Sequence, residues 1–130
     1  MVLGHADYHF RHEPIAFGYA PGRGRRGRGG SGWYGDDAAD LVIEVPRPKS
    51  SQDHPTMKPV ELVRRLLVNS CPEGGRVLDP FAGTVTTLIA AELLGVRADL
   101  VEIDPSYCDV VLARWEDLTR EEARLAEPSG

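Results

Sequence analysis

The sequence predicts an α/β fold: a parallel sheet with flanking helices. Three observations carry that expectation. Residues 76–107, RVLDPFAGTVTTLIAAELLGVRADLVEIDPSY, read as strand, tight turn, helix and strand, which is one βαβ unit. Its two apolar runs, Val77-Leu78 and residues 98–103, are short, continuous and bounded by turn residues, as in strands covered on both faces. Acids stand near the carboxyl end of each run, Asp79 and Glu102, and that is the end at which open parallel sheets bind ligands.

The elements follow in chain order. Residues 1–10 show no clear period. Tyr8-His9-Phe10-Arg11 and Ile15-Ala16-Phe17 are aromatic and β-branched enough for short strands. Between them Pro14 favours an extended Glu13. The neighbours His12 and Glu13 read as a strand-end pair, because two residues make neither a metal site nor an acid–base pair. Residues 21–32, PGRGRRGRGGSG, place six glycines and four arginines in twelve residues. Such a segment cannot build a packed core and is expected to be a flexible loop. Arg23, Arg25, Arg26 and Arg28 suit nucleic-acid phosphates, contacts that position without reading sequence; the plainer alternative is a solvated basic linker. Trp33-Tyr34 either stack on unpaired bases or anchor the loop to the core. Residues 41–45 alternate as a strand and are stopped by Pro46 and Pro48.

Pro59 is expected at a first helical position, where its missing N–H costs nothing. Val60, Val63, Leu66 and Leu67 then recur at helical spacing, with Glu61, Arg64 and Arg65 outside. Pro72 and Gly74-Gly75 end that helix. A second helix is expected over residues 84–94, closed by Gly95. Pro105 begins a third, whose apolar stripe is Val110, Val111, Ala113, Trp115 and Leu118. Residues 127–130 are expected to fray.

Composition sets bounds. The chain has 130 residues, 42% of them hydrophobic, and residues 1–130 are expected to form a single domain. No apolar run approaches the ~18 residues of a membrane span, and no signal peptide is visible. Cys71 and Cys108 are too few and too far apart for a disulfide framework or metal cluster. They fit half-buried thiols in a reducing cytoplasm. The net charge of −5 is uneven. Residues 1–35 hold five arginines against Asp7 and Glu13, whereas residues 36–130 hold ten basic and eighteen acidic side chains. A basic surface for nucleic acid is therefore offered only by the first quarter of the chain.

The spacing in the βαβ unit suits a nucleoside ligand. Glu102 lies 23 residues after Asp79, near the offset of about 20 at which an acid meets ribose hydroxyls. Gly83 lets backbone approach a ligand, and the following helix start offers amides to an anion. The absence of G-x-G-x-x-G counts against a nicotinamide dinucleotide. On spacing alone, Asp79 and Glu102 serve equally well as strand-end caps.

The stretch DPFAGTVTT resembles the D-P-F-x-G-[SG]-G-T-T signature of the S-adenosylmethionine-dependent DNA amino-methyltransferases, which modify adenine N6 or cytosine N4. His54-Pro55-Thr56-Met57-Lys58-Pro59 is similar to the H-P-T-x-K-P segment that precedes it in one circularly permuted class. Glu102-Ile103-Asp104-Pro105 resembles the acid-bearing end of the second strand, and residues 106–115 the helix after it. HEPIAFGYAPG resembles an H-E-P-I-x-Y-G segment on the target-base side. The resemblance implies a partial Rossmann-like methyltransferase sheet with flanking helices. It implies that Asp79 and Gly83 line the methionine and ribose side, with Phe81 packing near the cofactor. Glu102 would hold the ribose hydroxyls, with Asp104 beside it. Thr56, Lys58, Thr84 and Thr86 would hold the carboxylate. The implied partner is DNA.

Two departures stand out. The family's catalytic [DNS]-P-P-[YF] loop is absent from the sequence, so the chain resembles the C-terminal half of such an enzyme and no catalytic residue is assigned. Losing the strands of the other half is expected to leave an apolar sheet edge that pairs with that half or with a second copy. Val85 stands where the family usually has glycine, and would be strained in a left-handed conformation and crowd a cofactor. The competing expectation is a non-catalytic remnant, or a nucleic-acid-binding module using the Arg/Gly loop.

Overall fold

The structure, a computed structural model, describes residues 12–20, 32–36, 38–46, 58–83 and 85–127. Thr56, Thr84, Arg23, Arg25, Arg26 and Arg28 lie outside the described residues, as do residues 8–11 of the first expected strand. Five elements follow one another: α1 (Val60–Ser70), β1 (Arg76–Asp79), α2 (Thr86–Glu92), β2 (Arg97–Leu100) and α3 (Pro105–Thr119). The βαβ unit is present, with β1 and β2 parallel and Val77 beside Ala98.

Each helix boundary has a local cause. Pro59 is the N-cap of α1, one position earlier than its expected place, and is extended at ψ 133. Cys71 leaves the helix in extended geometry, and its N–H closes on the Leu67 carbonyl at 2.7 Å. Asp104 caps α3 by accepting from Ser106 N, and Pro105 occupies the first turn. Arg120 ends α3 in the left-handed region at φ 64.

The core is small and lies on one side of the sheet. Leu67 of α1 packs against Ala90 and Ala91 of α2, with Val60, Val63, Val77, Leu94, Val96 and Ala98 around them. The two alanines let α1 and α2 approach each other closely, and both are fully buried. Strand alternation then fixes what faces away. Val77 and Ala98 point at this core, so Arg76, Leu78 and Asp99 point to the other face, where Leu78 is 66% exposed. Arg76 bonds the Asp99 carboxylate through two nitrogens on that face. The guanidinium holds Asp99 below the usual carboxylate range. The expected cover on both faces is therefore found on one, and both outer edges of the two-stranded sheet are unpaired among the described residues.

Three expectations need correction. Residues 15–17 and 41–45 are irregular. The first had the composition of a strand and the second its alternation, but a strand exists only against a neighbour, and no described segment pairs with them; Leu41 is fully exposed. The second strand ends at Leu100 rather than 103, although Val101 still bonds the Asp79 carbonyl at 2.9 Å. The second helix starts at Thr86, because Val85 is left-handed at φ 77 and ψ 10.

Candidate functional site

The carboxyl ends of β1 and β2 are tied together by one turn. After Asp79 the chain turns through Pro80-Phe81-Ala82-Gly83. Ala82 N donates to the Val101 carbonyl at 3.0 Å, and Gly83 N donates to Glu102 Oε2 at 2.8 Å. Gly83 has φ 50, a conformation that glycine adopts without a Cβ penalty. The other Glu102 oxygen, Oε1, accepts from Ile103 N and Asp104 N, both at 2.9 Å. Three backbone N–H groups thus converge on one carboxylate. They hold it below the usual carboxylate range, the Asp104 amide contributing most and the Gly83 amide next. A carboxylate has about four acceptor positions, so Glu102 Oε2 keeps room for a further donor beside Gly83.

Asp79 is engaged in the same turn. Its Oδ1 accepts from Phe81 N at 3.0 Å and its Oδ2 from the Thr87 hydroxyl at 2.6 Å. The Thr86 hydroxyl, on the buried side of α2, donates to the Lys58 carbonyl at 3.2 Å. That bond fastens the start of α2 to the residue just ahead of α1. Lys58, Asp79, Phe81, Gly83 and Thr86 consequently line one open cleft of about 350 Å³, with Val63, Thr87 and Tyr107. The Phe81 ring is 87% exposed, an apolar plate at the mouth. The Lys58 ammonium pairs with Glu13, which brings the H-E-P segment to the same mouth.

Five sequence-assigned residues thus share the cleft, and Glu102 adjoins it through Gly83. Asp104 does not line it. Its carboxylate accepts from the Ser106 hydroxyl at 2.7 Å and Ser106 N at 2.9 Å, which hold it below the usual carboxylate range. Its partners are those of a helix cap, and its backbone N–H is what serves Glu102. Thr87 and Tyr107 were not singled out from sequence. Thr87 had a signal: a hydroxyl in the first turn of the helix that follows a strand-end acid.

Val85 carries the expected strain without the expected crowding. It is left-handed, a genuine outlier for a β-branched residue. Yet its side chain is fully buried and contributes nothing to the cleft lining. The turn has kept the backbone geometry natural to glycine and sends the valine side chain inward.

A larger hollow of about 600 Å³ lies at the opposite, amino ends of the strands, between Arg76, Glu92, Arg97, Asp99 and Trp115. Within it Arg76 bonds Asp99, and Trp115 Nε1 donates to Glu92 at 3.0 Å. Ligands of open parallel sheets bind at the other end.

A sequence profile of the DNA methylase family matches residues 30–113. Type II methyltransferase M2.DpnII of Streptococcus pneumoniae is 38% identical over 63 residues, covering 48% of this chain and 24% of its own length. DNA adenine methyltransferase YhdJ of Escherichia coli (strain K12) is 40% identical over 79 residues, covering 58% of this chain and 27% of its own length. The chain therefore spans about a quarter of each of these relatives. Among solved structures, the M1.HpyAVI–SAM complex superposes with a TM-score of 0.55 over 67% of this chain and 45% of that one, at 21% identity. That likeness is one of fold and agrees with a partial Rossmann-like α/β sheet. With the profile spanning α1, β1, α2, β2 and most of α3, the chain belongs to the DNA methylase family of adenine-N6 and cytosine-N4 amino-methyltransferases.

Proposed function

We propose that the chain supplies the S-adenosylmethionine-binding half of a site-specific DNA methyltransferase acting on adenine N6 or cytosine N4. The observation that carries this is the cleft at the carboxyl ends of β1 and β2, where Lys58, Asp79, Phe81 and the Gly83–Glu102 bond meet. Its donor set fits a zwitterionic nucleoside. Lys58 offers an ammonium to a carboxylate, Glu102 Oε2 has room to accept from a ribose hydroxyl, and Phe81 exposes a ring for adenine. Thr56 and Thr84, outside the described residues, belong to the same proposed set by their motif positions. Bound there, the cofactor would supply the electrophilic methyl group. The chain's own residues hold and orient it.

Methyl transfer further needs the [DNS]-P-P-[YF] loop that the 130 residues lack. It comes, in this proposal, from another part of a longer protein or from a partner docked on the open sheet edge. A second copy of the chain is the competing occupant of that edge. DNA is the substrate and Arg23, Arg25, Arg26 and Arg28 contact its phosphates. The cytoplasm is the expected compartment.

The test is a thermal-shift titration with S-adenosylmethionine, in the wild type and in Glu102→Ala. At about 100 times its dissociation constant, a ligand should add ~2.7 kcal/mol of stability. Because Glu102→Ala also loses three accepted hydrogen bonds, the readout is the increment caused by ligand rather than the starting midpoint. A saturable increment in the wild type alone supports the proposal. No increment in the wild type at millimolar ligand sinks it and leaves a nucleic-acid-binding module without cofactor.

A further inference from the structure

Three rings gather where the two described pieces of the N-terminal segment meet. Phe17 lies edge-to-face with Tyr19 at 5.1 Å and 79°, and with Trp33 at 6.0 Å and 78°. Gly32 makes this possible. It has φ 109, and a Cβ there would stand 3.2 Å from the Tyr19 ring. Trp33 Nε1 donates to the Asp36 carbonyl at 3.3 Å, and Tyr34 N donates to the Asn69 carbonyl at 2.9 Å. The cluster is thereby held against the end of α1 instead of being buried in the core. Phe17 remains 57% exposed, and Ile15, two residues before it, and Tyr34, next to Trp33, are about half exposed.

Scattered exposed apolar side chains need no explanation, but a fixed group of rings in water does. Charge identifies the occupant. The sequence between Tyr19 and Trp33 carries four arginines and no acid, which favours a polyanion over an apolar protein surface. A polyanion that also uses rings is a nucleic acid with unpaired bases, because every base offers a stacking face once it is out of the duplex. We infer that Phe17, steadied by Tyr19 and Trp33, is a stacking site for an unpaired base of a DNA strand. This rests on the DNA reading above and adds to it a base-dependent contact outside the cofactor cleft.

The test compares binding of a 15-nucleotide oligo(dT) and an abasic strand of the same length and charge, using fluorescence anisotropy on the full chain. Stacking of one base should make the dT strand the tighter ligand by about fivefold or more. Phe17→Leu should reduce that preference below about twofold while retaining abasic binding, and Phe17→Tyr should restore it. A Trp115→Phe background leaves Trp33 as the single tryptophan, and its emission should be quenched by the dT strand but not the abasic one. That reading does not depend on any change at Phe17. Equal binding of both strands by the wild type, without Trp33 quenching, overturns the stacking site and leaves phosphate contact intact. Binding of neither strand overturns the DNA reading for this chain, and the stacking site with it.

Discussion

From residue 76 to residue 119 the chain bonds to its near neighbours: β1 to β2, Gly83 to Glu102, Asp79 to Thr87, Asp104 to Ser106. The described parts of residues 12–46 form no helix or strand. They touch the rest at named points, Glu13 on Lys58 and Tyr34 on Asn69. Both stretches contain β-branched and aromatic runs, so propensity does not separate them. What separates them is the distance to a partner. The βαβ unit carries both of its strands within 25 residues, from Arg76 to Leu100, and loop closure at that length is cheap. Residues 41–45 need a strand that no described segment provides.

The largest effect expected from that contrast concerns two leucines. Leu67 is the buried member of α1 and meets Ala90 and Ala91, so Leu67→Ala should cost about 2–5 kcal/mol. Leu41 is fully exposed, and Leu41→Ala should stay within about 0.5 kcal/mol. Urea denaturation of the two variants checks both. Similar losses would mean that residues 12–46 belong to the cooperative core, and the contrast would collapse.

Val85 sharpens the same contrast from within the βαβ unit. Glycine is ordinarily worse than alanine by about 0.5–1 kcal/mol inside an element. At a left-handed position the Cβ itself costs about 1–2 kcal/mol. Val85→Gly should therefore be at least as stable as Val85→Ala, although both lose buried methyl groups relative to valine. A glycine variant clearly less stable than the alanine variant would show that φ 77 at this position is not strained.

Most of the βαβ unit was legible because its signals are local. Alternating turn and apolar runs placed β1, α2 and β2, Pro105 placed the start of α3, and the acid at each strand end marked the cleft. The assembly of Lys58 with Asp79 and Thr86 was less legible. It depends on a bond from the Thr86 hydroxyl to a carbonyl 28 residues away, which no spacing rule reports. The inward turn of Val85 was not legible at all, since a sequence shows which residue is strained and not where its side chain goes. The strands expected at 15–17 and 41–45 failed for the converse reason: β-branched composition in the first and a period-2 pattern in the second say what a strand would bury, and say nothing about whether a neighbour exists.

A smaller effect follows from the convergence on Glu102. Its folded-state pKa is depressed, so the stability it contributes is fully present above the ordinary glutamate range. That stability is lost as pH falls through the depressed folded value. Carboxyl-carbon NMR of Glu102 should show a midpoint below that of an unstructured glutamate. The Gly83 amide resonance should move with the same midpoint, because that N–H is one of the bonds lost on protonation. A Glu102 midpoint in the ordinary range would break the link between the strand ends.

The smallest expected effect lies where the two stretches meet. Glu13 and Lys58 are both mostly solvent-exposed, and exposed pairs contribute only about 0.2–1 kcal/mol. Glu13→Gln should accordingly leave the unfolding midpoint nearly unchanged. Its effect on ligand binding has a definite sign. In the proposed complex a cofactor carboxylate competes with Glu13 for the Lys58 ammonium, and removing the glutamate charge removes that competition. Affinity for S-adenosylmethionine should then rise, by no more than about fivefold, which is what ~1 kcal/mol allows. Lys58→Gln should lower affinity whether or not Glu13 is present. Calorimetric titration of the two single variants and the double variant separates the cases. If Glu13→Gln weakens binding instead, Glu13 positions Lys58 for the ligand rather than competing for it, and the N-terminal segment is a working part of the cleft.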